Sequence, residues 1–227
     1  MSRGALVQWT TIHPDGRETA EWHFVKHGEF CSFGDGCLEL FGKALPFLTI
    51  PPKARILEVG CFEADWLASM SLARPDCELV GIDWQPCGKG RRNFGTPIQG
   101  DVLTYDFEPA SFDAVVGISS IEHIGLGHYK KDPLDVDGDR HCMERIVSWL
   151  KPGGIVYADV PWQPDRFEVN GTKHRVYHPQ SVAERLLVPG LVKTWETWST
   201  VDGEALLPEP TERHPHFWVY AFQAVKA

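Results

Sequence analysis

The chain of 227 residues is short of positive charge, of paired cysteines and of long apolar runs, and each shortage removes a class of function. Lys and Arg number 22 against 31 Asp and Glu, a formal net charge of −9. Affinity for nucleic acid comes largely from neutralising phosphates, so a broad nucleic-acid surface is not expected. The cysteines (Cys31, Cys37, Cys61, Cys77, Cys87, Cys142) form no Cys-x-x-Cys pair, which removes zinc-ribbon and thioredoxin-like readings. No apolar run approaches the ~20 residues of a membrane helix. The opening Met1-Ser2-Arg3-Gly4-Ala5-Leu6 lacks the apolar core of a signal peptide. A soluble, cytoplasmic protein is expected, with free or buried thiols and neither a membrane nor a nucleic-acid partner. Its oligomeric state is not readable from the sequence.

What is present is an ordinary globular composition, 43% hydrophobic and 23% charged. Residues 1–52 scatter Trp9, Trp22, Phe24, Phe30, Phe33, Phe41 and Phe47 among Gly and Pro without a clean period. They read as an N-terminal cap with a helix around residues 37–45, closed by Pro46. Pro51-Pro52 separates this cap from a second unit, residues 53–227. There the pattern turns regular. Short β-branched runs predict strands at 54–60, 78–83, 97–102, 112–118, 155–160, 191–197 and 217–225. Helices are predicted at 65–74, 139–150 and 180–187, the second stopped by Lys151-Pro152-Gly153-Gly154. Strands alternating with helices imply an α/β fold: a Rossmann-like, seven-stranded, mostly parallel sheet with helices on both faces. The last two strands lack a clear intervening helix, which predicts an antiparallel edge hairpin.

Ligands of open α/β sheets bind beyond the carboxyl ends of the strands. The predicted ends carry Glu58 and Gly60, then Asp83, Asp101, Ser119 and Ser120, then Asp159. Any one of these acids can cap a following helix, but an ordered set of carboxylates suits ribose hydroxyls and amines. A dinucleotide fits poorly. The turn Gly60-Cys61-Phe62-Glu63-Ala64-Asp65 lacks the Gly-x-Gly-x-x-Gly cradle, and Glu63 would repel a pyrophosphate. Asp83 nonetheless stands at the spacing of a ribose-binding acid. A nucleoside without phosphates is the better ligand.

At this point the sequence resembles the class I S-adenosylmethionine-dependent methyltransferases. The resemblance rests on Ile56-Leu-Glu-Val-Gly-Cys61, Val80-Gly-Ile-Asp83, Gly100-Asp-Val102, Phe112-Asp-Ala-Val-Val116, Ile121-Glu-His-Ile124 and Leu150-Lys-Pro-Gly-Gly154, in family order. Ser119-Ser-Ile-Glu-His-Ile-Gly-Leu-Gly127, Asp135-Val-Asp-Gly-Asp139 and His174-Arg-Val-Tyr177 look like an uncharacterised, DUF268-type branch. The resemblance implies S-adenosyl-L-methionine as cofactor. It places Asp83 on the ribose, Asp101 and the Val102 amide at the adenine, Glu58 and Gly60 beneath the methionine part, and Ser119 and Ser120 near the sulfonium. Phe62 stands where the family usually has a small residue, and Trp84 borders the adenine.

The reaction implied is N- or O-methylation of a small-molecule acceptor. His123 is a candidate base or a residue that orders its turn, with His174 and Tyr177 as further catalytic candidates. Trp162, Arg175 and Tyr177 are candidate acceptor contacts, Arg175 through a bidentate grip and Tyr177 through its ring face. Two other readings stand beside methylation. One is cyclisation of the cofactor's own aminobutyryl chain with release of methylthioadenosine. The other is a non-catalytic, cofactor-binding partner subunit. The acidic run from Asp132 to Asp139 misses calcium-loop spacing and reads as charge before a helix N-terminus, so no metal is expected.

Overall fold

The computed structural model describes residues 5–12, 18–26, 29–32, 49–61, 66–67, 70–71, 74–86, 95–128, 133–200 and 209–227. Strands β1 (Ala5–Ile12), β2 (Glu18–Lys26) and β3 (Glu29–Ser32) form an antiparallel sheet. The sequence pattern does not announce these strands. They are rich in Val, Thr, Trp and Phe but alternate irregularly, so pairing decides them. The helix expected around residues 37–45 lies outside the described residues.

The main sheet has seven strands in the order β11-β12-β8-β7-β4-β5-β6. Its centre is β4 (Arg55–Val59) and β7 (Phe112–Ile118), flanked by β5 (Glu78–Asp83) and β6 (Thr96–Gln99) on one side and β8 (Leu150–Trp162) on the other. All neighbours from β6 to β8 pair in parallel. The reversed strand, β12 (Trp218–Lys226), lies antiparallel between β8 and β11 (Leu191–Thr200). These strands are near-continuous apolar runs because both faces are covered. On one face Leu57, Val59, Val80, Ile82, Val115 and Val156 pack with Cys142, Met143, Ile146 and Trp149 of helix α1 (Gly138–Trp149). On the other, Ile56, Ala114, Val116 and Tyr157 pack with Trp66, Leu67 and Met70. Residues 66, 67, 70 and 71 are helical, within the predicted 65–74 segment.

Several elements differ from expectation, β11 among them, which runs on to Thr200 instead of ending at 197. β6 stops at Gln99, because Gly100 and Asp101 turn the chain: the Asp101 side chain accepts the Leu103 N–H at 2.8 Å. β8 begins at Leu150 rather than Ile155, so helix α1 runs directly into strand. Gly153 takes a left-handed φ of 75°, and the pairing with β7 shifts register across this stretch, from Leu150 to Ile155. A hairpin of β9 (Glu168–Asn170) and β10 (His174–Val176), absent from the sequence reading, follows β8. The predicted 180–187 helix is one α-turn, Pro179–Ser181, continued by a π-turn over Val182–Leu186.

Candidate functional site

The strand order reverses beside β4, whose carboxyl end is built by glycine geometry. Gly60 sits at φ 83°, and a Cβ there would lie 2.4 Å from the Ser120 Cβ, so only glycine fits. The Gly60 and Cys61 N–H groups both donate to the Ile82 carbonyl, at 2.9 and 3.3 Å. Ser120 Oγ donates to the Val59 carbonyl at 2.8 Å. The tips of β4 and β5 and the turn after β7 are thereby tied together at the switch point where ligands bind.

Along this rim the neighbouring strand ends present acids. Asp83 is half-buried, with Oδ1 accepting the Gln85 N–H at 2.7 Å, and Trp84 beside it is half-buried too. Asp101 follows at the end of β6 with buried Val102. Glu58 is buried within β4. Ser119, at φ 44°, donates its N–H to Asp159 Oδ1 at 2.7 Å, and Asp159 itself is buried. Topology thus gathers Gly60, Asp83, Asp101, Ser119 and Ser120 at one edge of the sheet. Phe62 lies outside the described residues.

The turn after β7, a 3₁₀ segment Ile121–His123, carries the titrating pair. Glu122 is buried, with Oε2 lacking a hydrogen-bond partner. Burial pushes its carboxyl well above the usual carboxylate range; Asp159 pushes the same way and Arg175 opposes. His123 bonds the Lys173 carbonyl through Nδ1, so Nδ1 carries the proton and Nε2 the lone pair. Nε2 stands 3.6 Å from Glu122 Oε1. Burial pulls the imidazole below its ordinary value, with His174, His128 and Arg175 adding repulsion against the Lys173 contact. The rings of His128 and His174 lie 5.9 and 6.3 Å from His123, and Phe217 lies 5.4 Å from His174. Among the described residues, no three His, Cys, Asp or Glu side chains converge as metal ligands.

Three expected acceptor contacts sit elsewhere. Arg175 is 0% exposed; its guanidinium donates to the carbonyls of Glu122, Ile124, Asp135 and Val136 and pairs with Asp139 at 3.4 Å. Tyr177 is wholly buried, its hydroxyl donating to Asp139 Oδ2 at 2.8 Å. Trp162 packs edge-on against Trp198 in the core. Their burial follows from β10 folding back on the end of β8, where Tyr177 N donates to the Pro161 carbonyl. Arg185 completes this buried network with two bonds to Asp139, at 2.6 and 2.8 Å. The acidic run before α1 is therefore only in part a cap: Asp137 makes no side-chain capping bond, and Asp139 turns inward. Sequence reasoning missed Gln163, Asn170, His216 and Phe217, which meet only through contacts some 50 residues apart and leave no local signal.

The same architecture recurs among solved structures. The 1,6-didemethyltoxoflavin-N1-methyltransferase of Burkholderia thailandensis, with bound 1,6-didemethyltoxoflavin and S-adenosylhomocysteine, superposes with TM-score 0.62 at 14% identity, covering 85% of this chain and 80% of that one. The N-methyltransferase NodS of Bradyrhizobium japonicum, with S-adenosyl-L-homocysteine, gives TM-score 0.54 at 15% identity, covering 85% and 89%. The chain has the class I methyltransferase fold.

Within that fold, a family model described as "Caenorhabditis protein of unknown function, DUF268" matches residues 102–205. The sterol 24-C-methyltransferase of Clavispora lusitaniae is 26% identical over 140 residues, 56% of this chain and 33% of that protein. This methyltransferase-fold chain thus spans about a third of that curated relative's length. No helix among its described residues is long and apolar enough to cross a membrane.

Proposed function

We propose that the protein is an S-adenosylmethionine-dependent methyltransferase that transfers a methyl group to nitrogen or oxygen of a small molecule. One observation carries the reading: half-buried Asp83 ends β5 and half-buried Asp101 stands in the turn just after neighbouring β6, across from a glycine turn that tolerates no side chain. This donor set fits a phosphate-free adenosyl group. Carboxylate oxygens accept from ribose hydroxyls and from the adenine amine, and they repel phosphates. Asp83 would hold the ribose, Asp101 and Val102 the adenine, and Glu58 and the Gly60 backbone the methionine end. Ser119 and Ser120 would face the sulfur, with Trp84 at the edge of the base.

When bound, S-adenosylmethionine supplies a methyl group on a sulfonium, and the protein's task is to align the acceptor and exclude water. His123 and His174, whose rings lie side by side, enter as neutral imidazoles, either able to take a proton if the acceptor arrives protonated. Burial raises the Glu122 carboxyl well above its ordinary range and so disfavours a competing negative charge beside His123.

Titration calorimetry tests the cofactor site. The purified protein should bind S-adenosylmethionine, and Asp83→Ala should weaken binding at least tenfold; unchanged affinity removes the ribose assignment. Product analysis tests the reaction. S-adenosylhomocysteine formed only with an acceptor supports methylation, whereas methylthioadenosine formed without one shows cyclisation.

A further inference from the structure

We infer that the acceptor is an uncharged ring compound bearing a hydroxyl group, held in the cleft between the β9–β10 hairpin and residues 215–217, with His174 receiving the hydroxyl hydrogen bond. The inference rests on the methyltransferase reading and gives it a substrate class. The cleft is an open groove of about 680 Å³, within the ~300–1,000 Å³ of small-molecule sites, with Val169, Asn170, Pro215 and His216 at its exposed rim. It adjoins the strand tips: β10 is bonded to the end of β8 through Tyr177 and Pro161, and His174 stands beside His123 in the turn after β7.

The lining decides the class. Val169, Val176, Pro215 and Phe217 give it apolar walls. Its formally charged lining residue is Glu168, and that carboxylate is already engaged. Arg213 donates to both its oxygens at 2.9 Å, and Arg166 donates to Oε1 at 2.6 Å. Arg213 is itself held by Asp165, with both contacts at 2.8 Å. Among the lining residues an ammonium acceptor would find no open carboxylate and an anionic acceptor no cation, the Lys173 ammonium beside His174 lying outside the lining. Asn170, His174 and His216 are the remaining polar groups, too few for the many hydroxyls of a sugar. Phe217 lines the cleft and meets His174 edge-on at 66°, so two rings stand together in its wall, and such a wall suits a flat ring. Burial lowers the basicity of His174, leaving its imidazole neutral and able to accept.

The wall is also built in advance. Gln163 is 0% exposed; its amide donates to the His214 and His216 carbonyls at 2.8 and 2.9 Å and accepts the His214 N–H at 3.0 Å. Phe217 is therefore positioned without a ligand, which lowers the ordering cost of binding. Methylation of the bound hydroxyl forms one O–C bond as the sulfonium S–C bond breaks. The hydroxyl proton passes to the His174 imidazole and on to solvent, so charge and atoms balance.

The test uses the full chain and three naphthalene probes at neutral pH: 2-naphthol (uncharged), 2-naphthoate (anionic) and 2-naphthylmethylammonium (cationic). Fluorescence titration should show 2-naphthol binding with or without cofactor and at least tenfold tighter than either charged probe. Phe217→Leu, which keeps bulk but loses the ring, and His174→Ala should each weaken it at least fivefold while leaving S-adenosylmethionine affinity and Tm unchanged. With cofactor present, 2-methoxynaphthalene should appear. A charged probe binding as tightly as 2-naphthol overturns the substrate class, and unchanged binding in Phe217→Leu overturns the site. A wild-type protein that binds 2-naphthol but no S-adenosylmethionine instead refutes the methyltransferase reading, so the two failures are distinct.

Discussion

Glu122 shows what a single residue contributes when water cannot reach it. Its carboxyl is buried with one oxygen unpartnered, so the folded chain holds it protonated above the pH at which it ionises when unfolded. The stability linked to this group is therefore whole below its ordinary value of 4.5 and is lost as pH rises through the raised folded value. Glu122→Gln keeps the shape and removes the titration. Urea denaturation should find the variant gaining on the wild type between pH 5 and pH 8; a pH-independent difference would mean that the folded carboxyl is ionised. Tyr177→Phe should lose about 1 kcal/mol of stability, the value of one hydrogen bond, without changing cofactor affinity, because its partner Asp139 lies in the core. From the sequence, Arg175 and Tyr177 read as acceptor contacts beside His174. Strand alternation alone does not reveal that the chain doubles back so that their side chains close over Asp139.

Elements held by local pattern were the legible ones. β4, β5, β7 and α1 occur as read, since apolar runs and helical spacing are properties of a few consecutive residues. The first half of β8, the β9–β10 hairpin and β1–β3 depend on pairing across distance, which no window of sequence contains. The rim was legible for the first reason, the cleft was not for the second. The contact of β4's end with the turn after β7 makes a sharper test. Gly60→Ala forces both a left-handed backbone and a clash with Ser120, and it should abolish detectable S-adenosylmethionine binding and lower Tm. Adding Ser120→Gly removes the clash but not the backbone strain, so the double variant should recover part of the lost Tm. No recovery would show that the Ser120 side chain is not the obstacle.

At the scale of the molecule, the formal charge of −9 and a rim of carboxylates point in one direction. The protein should not retard bulk tRNA in a gel at 150 mM salt, and retardation would reopen nucleic acid as an acceptor. The fold itself leaves the acceptor open, since one architecture supports many chemistries and the site decides. That places weight on the stretch moored by Gln163. A glutamate at 163 would lose both N–H donors, a leucine every bond, and an asparagine would fall a methylene short. With that one amide kept, residues 214–217 form a jig: a fixed backbone frame on which side chains can be exchanged like tool bits, refitting the cleft to new ligands without rebuilding its scaffold.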